Sequence, residues 1–179
     1  MKAASVRWLY SFDQKLVNPP GNPMGRWLLW ASVALGVSFS MVNIYAALGG
    51  RRGMWTIFGH DYLRLGTEGY LTTELEWIAA VLKLGIALLP TTLLPCAGLP
   101  LPTWRTAGTG IIAATLAAYG ASQMVLATLV WVGVVQPLWG LDDLSSPWRT
   151  LLWDPVFLVW GLLMLAAVRW RVAECRGTK

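Results

Sequence analysis

One lysine of the chain lies where a charge is energetically expensive, in the middle of a long apolar stretch. Lys83 is the one charged residue in the interior of the stretch that runs from Glu74 to Leu94. A charge near the centre of a bilayer by default marks a functional site or a buried partner. Glu76 precedes Lys83 by seven residues, which is two helical turns on the same helix face. The spacing predicts an intramembrane polar cluster. The alternative is a lysine that makes one structural contact or extends into a water pocket.

Two amides lie in other apolar stretches and are candidates to join this cluster. Asn43 lies near the end of the first stretch, and Gln123 lies within the third. Polar side chains in membrane helices commonly form hydrogen bonds across helices. We therefore expect Lys83 to contact one or more of these groups, and we assign Lys83, Asn43 and Gln123 as candidate substrate-binding residues.

Acidic and aromatic residues near one end of the apolar stretches form a second candidate site. Carboxylates in an apolar, aromatic-lined site can act as general acids, and aromatic faces stabilise a cation. Such a site would suit protonation of an isoprenoid or another lipid. Helix caps and solvated loop charges are the alternative interpretation. The candidate catalytic residues are Glu76, Asp154 and Glu68, and the candidate substrate-binding aromatic residues are Trp77, Trp153 and Tyr70.

The same acids also stand where helices are expected to begin. Thr73 with Glu76 three residues later has the pattern of a capping box. Asp154 followed by Pro155 has the pattern of an N-cap residue before a proline at the first helical position. Both patterns predict structural roles for the two acids.

The sequence contains no motif for a metal, an organic cofactor or nucleic acid. His60 and two distant cysteines, Cys96 and Cys175, do not provide an ordinary zinc site or a bis-histidine haem site. Glycine-rich nucleotide motifs and hydrolase motifs are absent from the sequence. The net charge of +5 lies in short flanks, which is typical of membrane orientation signals. We predict no metal, no cofactor and no nucleic-acid partner.

The elements that must position these residues are membrane spans. The chain is 56% hydrophobic and 13% charged, against about 25% charged residues in a soluble domain. A bilayer-spanning helix needs about 20 apolar residues, and four stretches qualify. The sequence predicts one all-α membrane domain, a four-transmembrane-helix bundle with a long outer loop between helices 1 and 2. Its spans cover about 27–48, 74–94, 106–135 and 155–170, preceded by a flank over 1–26 that is either an interfacial helix or a disordered tail.

Basic residues predict the orientation of the bundle, because flanks rich in Lys and Arg stay in the cytoplasm. Nine such residues lie on one side, namely Lys2, Arg7, Lys15, Arg26, Arg105, Arg169, Arg171, Arg176 and Lys179. Four lie on the other side, namely Arg51, Arg52, Arg64 and Arg149. We therefore predict a multi-pass protein of the cell (inner) membrane with both termini in the cytoplasm.

Small residues recur at intervals of four along two spans. Faces of this kind allow helices to approach closely, either within the bundle or in another subunit. The residues are Ser32, Gly36 and Ser40 in the first span and Gly110, Ala114, Ala118 and Ser122 in the third.

Two segments at helix ends carry a resemblance to a known family. They are residues 44–50, Ile-Tyr-Ala-Ala-Leu-Gly-Gly, and residues 152–161, Leu-Trp-Asp-Pro-Val-Phe-Leu-Val-Trp-Gly. Over roughly 27–170 the chain resembles a family of small bacterial four-helix integral membrane proteins of unknown function. The resemblance implies four helices and a bacterial membrane, but no activity and no catalytic residues. The flank over 1–26 departs from the pattern.

Three functions are compatible with this sequence. The first is an accessory or interaction subunit of a membrane assembly, with the bilayer and a membrane-protein partner or a second copy as neighbours. The second is a membrane enzyme or binder for a hydrophobic, isoprenoid or lipid-like substrate. The third is a small transporter or channel subunit that uses Lys83.

Overall fold

The computed structural model describes residues 23–59, 71–94, 102–136, 142 and 144–177. Within these ranges all regular secondary structure is helical. The elements are α1 (Pro23–Ala47), α2 (Leu71–Leu88) with a short 3-10 continuation (Leu89–Leu93), α3 (Thr103–Trp131), α4 (Ser146–Trp148), a π-helical segment (Arg149–Trp153) and α5 (Asp154–Gly177). Four helices in the described part are long and apolar enough to cross a membrane. The protein is therefore a small multi-pass integral membrane protein, whereas most of the predicted 1–26 flank and the centre of the 49–73 loop lie outside the described residues.

The helices alternate in direction along the chain. Gly25 near the beginning of α1 packs against Trp170 near the end of α5, and Gly36 packs against Trp160. Gly36 also meets Ala87 of α2, and the Ser40 hydroxyl donates to the Ala80 carbonyl oxygen at 2.8 Å. The beginning of α1 and the end of α5 therefore lie together at one end of the bundle. We call the opposite end, where α1 and α3 finish and α2 and α5 begin, the distal end.

The backbones of α3 and α5 approach each other closely. A Cβ at Gly120 would lie 2.4 Å from the Leu158 backbone nitrogen, and one at Gly161 would lie 2.5 Å from that of Ala117. Glycine at both positions lets the two backbones approach to a distance that any side chain would prevent.

The two predicted small-residue faces have different environments. On α1, Ser32 and Ser40 are buried within the bundle. On α3, Ala114, Ala118 and Ser122 are exposed, because the face that meets α5 carries Ala113, Ala117 and Gly120 instead.

The fourth span begins at Ser146, earlier than the predicted residue of about 155. Asp154 has helical dihedral angles, φ −74° and ψ −34°, and its backbone N–H donates to the Arg149 carbonyl oxygen five residues earlier. Pro155 has no N–H, and its ring would collide with the carbonyl of residue 151 in a regular α-helix. A wider π-helical turn before Pro155 is a common way to accommodate such a conflict. The prediction of Asp154 as an N-cap is therefore wrong, because the chain is already helical before it.

Candidate functional site at the distal end

A chain of hydrogen bonds joins α1 to α2 near the distal end. Lys83 Nζ donates to Asn43 Oδ1 at 2.6 Å, and Asn43 Nδ2 donates to Glu76 Oε2. Asn43 and Glu76 are 5% and 7% exposed, so the amide connects the two charges away from solvent. The Ser40–Ala80 contact sets this register, because it places Asn43 between residues that lie about 10 Å apart along α2. Glu76 uses its carboxylate here, and the structure assigns it no capping bond to Thr73.

Aromatic rings surround the Lys83 ammonium. Nζ lies 4.3 Å from the Phe39 ring centroid and 5.4 Å from that of Phe157. The two rings meet edge to face, with centroids 4.6 Å apart. Such cation–π contacts stabilise a charge more strongly when it is desolvated. Asn43 is the one conventional acceptor of this ammonium among the described residues, so the other N–H groups can donate to a further acceptor.

A second polar cluster joins α3 to the π-helical segment. Arg149 Nη2 donates to Gln123 Oε1 at 2.9 Å and lies 3.4 Å from Asp154 Oδ1. Gln123 thus belongs with Arg149 and not with Lys83. The Arg149 side chain is 15% exposed and Asp154 is 2% exposed, so this pair is largely withdrawn from solvent.

The second carboxylate oxygen of Asp154 differs from the first in its hydrogen bonding. Asp154 Oδ2 is buried and has no hydrogen-bond partner among the described residues, and the same holds for Thr150 Oγ1. A buried carboxylate oxygen without a donor costs free energy, so each such atom in a native structure calls for a physical explanation.

Trp153 lies between the two clusters. Its ring centroid is 6.0 Å from that of Phe39, and its indole Nε1 donates to Thr56 Oγ1 at 3.0 Å. Thr56 belongs to a helical turn over 55–59 that follows α1. A second contact of this turn is edge to face between Trp55 and Trp148, with centroids 6.0 Å apart. The segment after α1 is therefore fastened to the beginning of the fourth span.

Of the remaining predicted site residues, the structure describes Trp77, which is not part of these clusters. Trp77 is 42% exposed on the outer surface of α2. Glu68 and Tyr70 lie outside the described residues.

The arrangement is suited to hydrogen bonding more than to metal binding. Nowhere in the described ranges do three His, Cys, Asp or Glu side chains converge as metal ligands would. Lys83 is connected to Glu76 through Asn43, and Arg149 is paired with Asp154, so each of these two described cation–acid pairs is formally neutral.

Sequence reasoning missed Arg149 as a member of the site. Its position in a predicted outer connection indicated only an orientation charge. The available signal was an Arg five residues before an Asp-Pro pair, which a π-helical turn brings together.

Comparison with known proteins identifies no relative of this chain. No family model, curated protein or solved structure matches the chain. The resemblance to small four-helix bacterial membrane proteins stays an expectation from the sequence.

Proposed function

We propose that this protein binds an amphipathic, lipid-like molecule within the membrane, with the polar group of that molecule at the distal end. The observation that carries the proposal is the Lys83 ammonium, which lies among Phe39 and Phe157 with unused hydrogen-bond donors. Helix association alone does not require a lysine there, because glycine and serine contacts already join these helices.

The surroundings of Lys83 match both parts of an amphiphile. The ammonium can donate to a carbonyl, hydroxyl or phosphate oxygen in a low-dielectric setting, where such a bond is strong. Val81 and Leu82 on the neighbouring surface of α2 are exposed, and an acyl or isoprenoid chain can lie along them. Binding at this position needs no water-filled entrance, since the ligand arrives through the bilayer.

The two buried acids already have partners within the bundle. Glu76 accepts a hydrogen bond from Asn43, and Asp154 accepts one from Arg149. In this proposal the acids position the cations, Glu76 through Asn43 and Asp154 by direct contact.

Native mass spectrometry of the gently extracted protein tests this proposal. The wild-type protein is expected to carry one discrete lipid-like adduct, and Lys83→Met is expected to lose it. Arg52→Met is the matched control, because Arg52 is an exposed cation at the same end of the bundle. Monodisperse elution and an unchanged helix content show that each variant is folded. An adduct of equal abundance in folded Lys83→Met, or no adduct in the wild type, contradicts the proposal.

A second candidate is the accessory subunit predicted first from the sequence. The outward small-residue face of α3, Ala114, Ala118 and Ser122, favours it. Ala118→Leu is expected to remove a polypeptide that co-purifies in fixed ratio, whereas Val81→Leu on α2 retains it. Extraction of the wild-type chain alone, without a polypeptide partner or a second copy, counts against this candidate.

A further inference from the structure

The strongest unexplained feature of the distal end is a pair of oxygens in the fourth span. Asp154 Oδ2 and Thr150 Oγ1 are both buried and both without a hydrogen-bond partner among the described residues. The two residues are four positions apart, which places them on neighbouring positions of one helix face. One oxygen is an acceptor only, and the other can both donate and accept.

The π-helical turn contributes to this arrangement. The backbone of residues 149–153 is wider than an α-helix, and Pro155 cannot donate a backbone hydrogen bond into it. The two unpartnered side-chain oxygens lie within and directly after this turn. π-Helical turns of this kind are frequent at functional sites.

We propose that Asp154 Oδ2 and Thr150 Oγ1 hold a hydroxyl group, so that the ligand of this protein is a neutral amphiphile with an alcohol head group. A hydroxyl donates its proton to the carboxylate oxygen and accepts a hydrogen bond from the threonine. One small group therefore satisfies both unpartnered atoms.

The charge balance decides against a charged head group at this position. Arg149 already neutralises Asp154, and Asp154 is 2% exposed. An ammonium or a phosphate would leave one uncompensated charge in a buried setting, which is strongly unfavourable. A neutral alcohol adds no charge.

This inference rests on the proposed function, because it names the head group of the same amphiphile. Phe157 connects the two regions, since its ring lies beside Lys83 Nζ and its backbone position is one turn from Asp154. The aromatic surface of Phe39, Phe157 and Trp153 lies between the two polar clusters.

The test compares dodecanol with dodecyl methyl ether, which has the same chain but no hydroxyl proton. Apparent affinities of the full-length protein in detergent come from titrations of adduct abundance in native mass spectrometry. We expect the alcohol to bind the wild type about tenfold or more tightly than the ether, because a hydrogen bond to a charged acceptor is the difference between them.

Two variants and one control test whether Asp154 and Thr150 bind the hydroxyl group. Asp154→Asn places an amide donor at the position of Oδ2 and should bind both probes alike. Thr150→Val removes the donor to the ligand oxygen and should weaken binding of the alcohol several-fold. Thr115→Val is the matched control, because the Thr115 hydroxyl is exposed and bonds to its own helix. Its preference should equal that of the wild type.

Each outcome separates this inference from the proposed function. Equal binding of alcohol and ether to the wild type overturns the inference, as expected if the two atoms hold a buried water only. A preference that survives in folded Asp154→Asn, or an alcohol affinity that is unchanged in folded Thr150→Val, also overturns it. In either case the proposed function stands if Lys83→Met weakens both probes, and it fails together with the inference if neither probe binds the wild type.

Discussion

Replacing Asn43 with leucine should destabilise the bundle more than any other single polar substitution in α1. Among the described residues, Asn43 is the one that forms hydrogen bonds with both charges of the first cluster. Leucine has a similar volume and suits the membrane, so the loss comes from the groups that remain. Lys83 loses its acceptor, and Glu76, which is 7% exposed, loses its donor.

The magnitude follows from these two broken hydrogen bonds. A hydrogen bond to a charged group contributes about 1.5–3 kcal/mol in soluble proteins, and interhelical bonds in membranes average about 0.6 kcal/mol. Leaving one buried charge unpaired costs about 3–5 kcal/mol. We expect Asn43→Leu to lower the free energy of unfolding by about 2–4 kcal/mol, between these limits.

A triple substitution gives the decisive comparison. Asn43→Leu combined with Glu76→Leu and Lys83→Met removes all three polar groups and leaves none unpaired. Replacing a buried ion pair with apolar residues is often neutral or stabilising. The triple variant should therefore be within about 1 kcal/mol of the wild type and more stable than Asn43→Leu alone.

Reversible unfolding in mixed detergent micelles measures these differences, with tryptophan fluorescence as the signal. Trp153 and Trp160 lie at helix contacts and report on their separation. Thr115→Val is the control for a polar-to-apolar change on an exposed face. If Asn43→Leu is as stable as this control, or the triple variant is less stable than Asn43→Leu, the hydrogen-bonded chain does not stabilise the bundle as argued.

Three further predictions concern packing, the distal connection and orientation. Gly161→Ala should lower the free energy of unfolding by about 1–3 kcal/mol, because its Cβ would lie 2.5 Å from the α3 backbone. Gly85→Ala, with nothing within 4 Å, should be neutral or stabilising by up to about 1 kcal/mol, and equal losses in both would contradict the packing argument. Trp153→Phe should speed amide hydrogen exchange over 54–58 without changing the global unfolding free energy, because it removes the indole hydrogen bond to Thr56. Unchanged exchange would show that this bond does not restrain the turn. Arg52→Cys, in a variant without the native cysteines, should react with an impermeant maleimide in intact cells, and reaction only after permeabilisation would invert the orientation.

The spans were predictable because their length and apolar content determine them almost alone. The Lys83 cluster was also within reach, since few strongly polar groups occur in these stretches and each needs a partner in the membrane. The side of α3 that meets α5 was not predictable. Small residues occur on two faces of that helix, and spacing cannot decide between Ala114 with Ala118 and Ala113 with Ala117.

The Arg149–Asp154 pair shows a limit of reasoning from helical periodicity. Five residues in a regular α-helix rotate the chain about 140° past a full turn, so the two side chains would point in different directions. The π-helical turn closes a hydrogen bond between residues 149 and 154 and brings them together. The sequence signal for this turn, Asp154 before Pro155, is the same signal that predicts a helix start. One pattern therefore has two structural solutions, and here the chain is already helical from Ser146.

Two of the acids on the predicted outer side have contacts inside the bundle. Seven acids fall on the predicted outer side, namely Asp61, Glu68, Glu74, Glu76, Asp142, Asp143 and Asp154. Insertion does not require this asymmetry, because acidic residues contribute little to orientation. Two of the acids, Glu76 and Asp154, are buried at the distal end, where each balances a cation of its own span, Lys83 and Arg149 respectively.

This balance constrains what the distal end can bind. Each buried cation is already compensated, so the free energy available for a ligand lies in unused hydrogen-bond capacity and not in unpaired charge. That capacity consists of donors at Lys83 in the first cluster, and of an acceptor at Asp154 with a donor at Thr150 in the second. A molecule that gains from both has a neutral head group with a hydroxyl and a second oxygen. A phosphate-bearing lipid would gain at Lys83 and lose at Asp154, so a measured preference for one would show that the second cluster does not face the ligand.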